Sequence, residues 1–300
     1  MDGILLIDKP AGITSTETVR RVKSRTKGSR VGHLGTLDPF ATGLLPILIG
    51  EATKLATFLE AGDKEYRGAI RLGSETNTLD RTGKVTRTAP LPAPDSIDLD
   101  SLRARFTGSV EQTPPIFSAI KREGVALYKM ARRGEEVPPP SPRRVNIKRL
   151  DLEFTAPDLL RFGVVCSPGT YVRSLARDLG AALGTAAHLA ELCRTRSAGF
   201  DLARSVPLDA ALAALAAGAP RLIGLRESLI HIPEVYASAE VARRIRNGDS
   251  SALKGLVPFA GSLFKLIFED NLLAVCRADS ILTAKIERGF LSHLARNSSA

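Results

Sequence analysis

Cysteine is scarce in this chain: Cys166, Cys193 and Cys276 are odd in number and far apart in 300 residues. That excludes a disulfide framework, and the four histidines, His33, His188, His231 and His293, show no metal-ligand spacing. Long apolar runs are also missing. The first one, Ile4 to Ile7, stops at Asp8-Lys9-Pro10, far short of a spanning segment or signal peptide. The expectation is a soluble, cytoplasmic protein that needs no metal. Acidic residues are under-represented as well, 32 against 42 lysines and arginines, so the formal charge is +10. Between Arg20 and Arg30 six basic residues occur with no acid among them, which favours an anionic partner, with nucleic acid foremost.

What is present is ordinary globular material. A hydrophobic fraction of 44% over 300 residues suffices for a substantial core and two domains. Gly3 to Asp8 reads as a short strand. Thr14-Ser15-Thr16-Glu17 has capping-box spacing ahead of a helix from 15 to 27, and Glu51 to Glu60 is helical in pattern. Tyr66 to Leu72 and Gly83 to Arg87 alternate as strands around a turn at 77–83, and Leu91 to Asp95 is a proline-rich connection. A short helix is expected over Asp100 to Thr107. Thr113 to Arg144 mixes prolines with Lys121, Arg132, Arg133 and Arg143 and reads as an excursion from the core, with a helix near Val125 to Arg133. Strands follow at Val145 to Phe154 and Leu160 to Cys166. Next come a helix over Tyr171 to Leu183, with Arg173 on a polar position, and an alanine-rich helix at 210–217. Ile232-Pro233 opens a smaller segment with strands at Phe264 to Phe268 and Leu272 to Cys276, so domains of 1–230 and 231–300 are expected.

The segment richest in chemistry is Gly32-His33-Leu34-Gly35-Thr36-Leu37-Asp38-Pro39-Phe40-Ala41-Thr42-Gly43. It sets a single acid, Asp38, among apolar neighbours. Pro39 biases Asp38 toward an extended backbone, and Gly32, Gly35 and Gly43 permit shapes that a side chain would block. Read alone, Asp38-Pro39 is the start of a turn or a short helix. The flanks alter that weighting: Asp-Lys-Pro-Ala-Gly-Ile-Thr-Ser at 8–15, Leu-Leu-Pro-Ile-Leu-Ile-Gly-Glu-Ala-Thr-Lys at 44–54, Lys64-Glu65-Tyr66-Arg67, Thr78 to Gly83, Gln112 to Ala119, and Gly169 to Ala176.

These motifs, in this order, resemble the TruB family of tRNA pseudouridine synthases. The resemblance implies an α/β (α+β) fold, with a mixed, largely antiparallel sheet, a basic thumb at about 113–144, and a small β-rich C-terminal domain of PUA type that binds RNA. It implies isomerisation of uridine to pseudouridine at position 55 in the T-arm loop of tRNA, without cofactor or obligatory protein partner, by a monomer. It makes Asp38 the catalytic aspartate, Arg173 its cationic partner and Tyr66 the ring that stacks on the base. His33 would help flip the nucleotide, Tyr171 and Leu192 would shape the pocket, and Lys121, Arg132, Arg133 and Arg143 would touch RNA. Lys9, Gly32, Gly35 and Pro39 would support the loop. Where many relatives carry a second arginine this chain has Cys193, which implies one weaker RNA contact. A metal-dependent nuclease built on Asp38 and Asp80 is the poorer reading, because no run of acids surrounds either residue.

Overall fold

A computed structural model describes residues 1–93, 97–122, 124–135, 137–256, 260–280 and 282–290, and the backbone alone of Arg132. The end of the proline-rich connection, His293 and the Arg132 side chain lie outside the described residues.

The frame is a ten-stranded mixed sheet. Along its main path run Val206–Pro207, Gly3–Lys9, Thr42–Ile49, Ala187–Ser197, Lys64–Leu72, Leu159–Cys166, Arg143–Ala156 and Gly108–Gln112. Two pairings are parallel, Gly3–Lys9 with Val206–Pro207 and Thr42–Ile49 with Ala187–Ser197, and the others are antiparallel. Alternation drives these strands: in Leu159–Cys166 every second side chain is buried. In Arg143–Ala156 the apolar spacing slips between Val145/Ile147 and Leu150/Leu152. A bulge between Ile147 and Arg149 absorbs the slip and returns the apolar residues to the core face.

One face of the sheet buries Tyr66, Ile70, Leu72, Phe162 and Val164 against Leu175 and Leu179 of the helix Val172–Ala182. Another core gathers Ile4, Leu6, Leu44 and Leu48 with Ile223, Leu225 and Leu229, and with Ile267, Leu272 and Val275 of a second sheet. That second sheet has four strands, in the order Glu234–Tyr236, Leu263–Phe268, Asn271–Ala278 and Ala284–Gly289.

Several elements differ from the sequence reading. The first helix ends at Lys23, not residue 27, because Thr26 and Lys27 complete a turn in which Lys27 takes a positive φ of 42°. Only half of its capping box forms. Thr14 Oγ1 accepts from Glu17 N at 3.0 Å, whereas the Glu17 carboxylate turns away to Arg20 and Arg21. Gly50–Leu55 is 3-10 helix before a single α-turn, Ala56–Leu59. Val85–Thr88 pairs with Ser74–Thr76 apart from the large sheet.

Candidate active site

Asp38 leaves the large sheet on the loop between Val31–His33 and Thr42–Ile49, two strands that pair with each other. The loop is pinned from inside. Lys9 is fully buried, and its ammonium donates to the carbonyls of Pro10 at 2.8 Å, Ile13 at 2.9 Å and Pro39 at 3.4 Å. Burial pushes Lys9 down to about 8, against an opposing pull from Asp38. Ser15 Oγ accepts from Leu37 N at 2.9 Å, and Gly12 N donates to Pro39 O at 2.8 Å. Gly35 turns at a φ of +82°. Gly43 is fixed by space: a Cβ there would sit 2.4 Å from the Arg194 carbonyl oxygen. Gly32 is a correction, since it lies in the strand Val31–His33 and a side chain there would meet open space.

Arg173 occupies the second position of the helix Val172–Ala182 and is 6% exposed, not on a polar face as its helical spacing suggested. Its Nε and Nη2 donate to Asp38 Oδ2 at 2.9 Å and Oδ1 at 3.0 Å, a two-pronged grip on the carboxylate. Two further donors are used as well, Nη1 on Thr78 O at 3.1 Å and Nη2 on Phe117 O at 3.0 Å. Leu79, at a positive φ of 61°, shapes the turn that brings the Thr78 carbonyl inward. Burial raises the Asp38 carboxyl above its ordinary range, and the Arg173 charge and hydrogen bonds oppose that rise. The Asp38 side chain stays 29% exposed, so the carboxylate is held from behind and open in front.

Two placements escaped the sequence reading. Asp80 Oδ2 stands 3.9 Å from Arg173 Nε, so both aspartates converge on one guanidinium. The motif 78–83 already singled Asp80 out, but sequence gave it no partner. Arg194 is fully exposed in no part: it is 0% accessible, with Nε on Leu44 O at 2.8 Å, Nη2 on Gly35 O at 3.0 Å and Nη1 on Thr36 O at 3.4 Å. It faces Tyr66 across paired strands, and Tyr66, itself buried, is pushed up by burial. A buried arginine inside Cys-Arg-Thr-Arg offers no sequence signal that distinguishes it from its exposed neighbour Arg196.

The other expected residues scatter. Leu192 is buried in the same core as Tyr66 and Leu37. His33 lies half-buried beside Arg194, its ring lowered by burial and then by that charge, and its Nδ1 has no partner among the described residues. Tyr171 caps the helix that carries Arg173, its backbone N donating to Gln112 Oε1 at 2.7 Å. The Arg143 guanidinium stacks 4.6 Å over the Tyr171 ring and bonds Gly169 O, so it is held against the helix start and not left free. Lys121 lies exposed on the short strand Lys121–Arg122, which pairs with Val125–Ala126, and Arg133 pairs with Glu135 at 3.5 Å. Cys193 pairs with Thr42 and Arg67, on the opposite side of its strand from Arg194.

Chemically, the arrangement offers one carboxylate, oriented by a fork, beside a buried phenol and an apolar floor. A cation stands between Asp38 and Asp80 where a bridging metal would have to sit, and the described residues hold no group of three metal-ligating side chains.

Comparison with known proteins gives a consistent result. Residues 21–172 match the family model described as TruB family pseudouridylate synthase (N terminal domain). Residues 173–227 match that of the tRNA pseudouridylate synthase B C-terminal domain. The tRNA pseudouridine synthase B of Geobacter sulfurreducens is 41% identical over 289 residues, covering 94% of each chain. That of Geotalea uraniireducens is 39% identical over 286 residues, covering 93% of this chain and 92% of its own. Among solved structures, an H/ACA RNP bound to a substrate RNA containing 2'-deoxyuridine aligns with a TM-score of 0.72 at 22% identity, over 96% of this chain and 84% of that one. A Cbf5-Nop10-Gar1 complex gives 0.70 at 24% identity, with the same coverage.

Proposed function

Because this chain belongs to the TruB family of pseudouridine synthases, enzymes that isomerise uridine in tRNA, we propose that its target is the uridine at position 55 in the T-arm loop and that Asp38 performs the chemistry. No helix of the described residues is long and apolar enough to cross a membrane. The reading includes action in the cytoplasm by a monomer, without metal or cofactor. It also takes residues 231–300 as a PUA-like RNA-binding domain set against a catalytic domain of 1–230.

The observation that carries the proposal is the grip of Arg173 on an open-faced Asp38. Conversion of uridine to pseudouridine breaks the bond from N1 to C1', turns the base and joins C5 to C1'. The C5 proton is lost and N1 gains one, so atoms balance without redox change. A group that adds to base or sugar, or removes a sugar proton, has to be ionised when the substrate arrives. Burial alone would keep Asp38 protonated, and the guanidinium offsets that tendency. Tyr66, on the strand Lys64–Leu72 and paired with Arg194, supplies an aromatic face for the base and a phenol near the carbon that loses its proton. A stacked uridine cannot reach this depth, so the nucleotide is flipped out, with His33 placed at the start of the loop to take part.

The test is tritium release from 5-tritiated uridine in an unmodified tRNA transcript and in a bare T-arm stem-loop, with chelator present. Wild type should release tritium from both, and Asp38→Asn from neither. Dependence on an added guide RNA or protein would overturn stand-alone action, and loss of turnover in chelator would overturn the metal-free chemistry.

A further inference from the structure

Lys64 shares a strand face with Tyr66, two residues away, and lies opposite Ser197 in the antiparallel register. It is partly buried, yet neither an ion pair nor a hydrogen bond engages its ammonium among the described residues. Every comparable cation near the catalytic loop is satisfied: Lys9 by three carbonyls, Arg173 by Asp38 and two carbonyls, Arg194 by three carbonyls. The ammonium packs against the loop itself. A Cβ placed on Gly35 would lie 3.4 Å from Lys64 Cε, 3.7 Å from its Nζ and 3.4 Å from Arg194 Nη1.

Two more polar atoms are buried without a partner among the described residues, His33 Nδ1 beside Arg194 and Ser197 Oγ opposite Lys64 in the strand pair. Burial first, and the Arg194 charge second, disfavour the protonated form of Lys64, while Cys166 and then the exposed Glu60 pull the other way. A desolvated cation without a partner, beside another cation, is a costly arrangement for an empty protein. An arriving anion relieves it.

We propose that Lys64, backed by the fixed charge of Arg194 and flanked by His33, seats a backbone phosphate next to the flipped nucleotide. This rests on the RNA-modifying reading above and deepens it by naming the contact that holds the extruded nucleotide's backbone. A phosphate suits the site because it supplies several acceptor oxygens and a full negative charge, where a base carbonyl supplies a single acceptor and no charge. Glycine at position 35 leaves the space beside Lys64 open, which a side chain would fill.

The experiment is a methylphosphonate walk. A T-arm stem-loop is made with one neutral methylphosphonate at a time through the loop, and its binding is measured on Asp38→Asn protein with Lys64 intact, as Lys64→Met and as Lys64→Arg. With Lys64 intact, one linkage adjacent to the target uridine should weaken binding about tenfold when neutralised, as expected for a charged hydrogen bond. In Lys64→Met the unmodified RNA should bind about tenfold more weakly, and that same linkage should become silent. Lys64→Arg should keep the sensitivity, which separates loss of charge from loss of packing. If no linkage becomes silent in Lys64→Met, or if the unmodified RNA binds it normally, the assignment is overturned. Failure of the wild type to release tritium from the unmodified stem-loop would instead strike the functional reading on which it rests.

Discussion

The basic residues around the catalytic loop and those of the C-terminal helix Ala239–Arg246 are the same kind of side chain put to opposite uses. Around Asp38, Lys9 and Arg194 are fully buried, Arg173 nearly so, and their donors go mostly to backbone carbonyls. In the C-terminal segment, Arg243 pairs with Glu240 and Arg244 with Asp249 across exposed surface. Buried cations cost several kcal/mol of desolvation in general, so they persist only where geometry is tightly determined; exposed pairs are cheap to make and contribute little. The comparison separates a region organised to hold one carboxylate in place from one organised to stay charged and solvated.

The sharpest way to break this contrast is at its centre. Asp38→Asn keeps the size but removes the charge and turns one of the two acceptors gripped by Arg173 into a donor, and should lower single-turnover tritium release by about 10³-fold or more, with tRNA binding within several-fold. Unchanged turnover would take Asp38 out of the mechanism. Arg173→Met is next. It leaves a partly exposed carboxylate and two carbonyls without their donor, and should cost somewhat less in urea unfolding than the about 3–5 kcal/mol of breaking a fully buried pair. It also carries a pH signature. Asp38 works ionised, so activity is lost as pH falls through its pKa, and burial already places that pKa above the usual carboxylate range. Removing the cation that opposes burial raises it further, so the acid limb of the rate profile should move to higher pH. A limb that stays put would mean that Arg173 does not tune Asp38.

Arg194→Met follows in size. Three carbonyls lose their donor in a fully buried setting. Loss of about 2–4 kcal/mol is expected, judged from the penalty for unpaired buried polar groups. Thermal melting that matched wild type would show that the loop holds its shape without this strut.

How much of this was legible in the sequence depended on whether a signal was local. Strands with clean alternation, such as Leu159–Cys166, and helices with clear caps were readable, because a period of two or 3.6 is a property of the residues themselves. The central strand Ala187–Ser197 was not. Bulges between Leu189 and Glu191 and between Arg194 and Arg196 break its alternation, and its buried arginine imitates a surface residue. Asp38 stood out because a motif surrounds it. Asp80 meets Arg173 only through a contact 93 residues away along the chain, between two positions that no local pattern connects. The stacking of Arg143 on Tyr171 was hidden for the same reason, and a residue expected to reach toward RNA is partly occupied at home.

The smallest expected effect tests the other side of the comparison. Glu240 and Arg243 lie one turn apart on the helix Ala239–Arg246, and both are well exposed. Their hydrogen bonds pull Glu240 below its usual range and Arg243 above its own. Solvent and salt screen such a pair, and holding two long side chains in one geometry costs rotamer freedom that the attraction barely offsets. Arg243→Ala should therefore leave the melting temperature unchanged within error, at low salt and at high salt. Alanine's better helix propensity works in the same direction. If the variant is instead as damaging as Arg194→Met, the C-terminal pairs are structural in the same sense as the buried cations, and the division between the two regions fails. If only RNA affinity falls, and falls less at high salt, the arginine is part of the charged footprint, which is the use that an exposed, solvated cation permits.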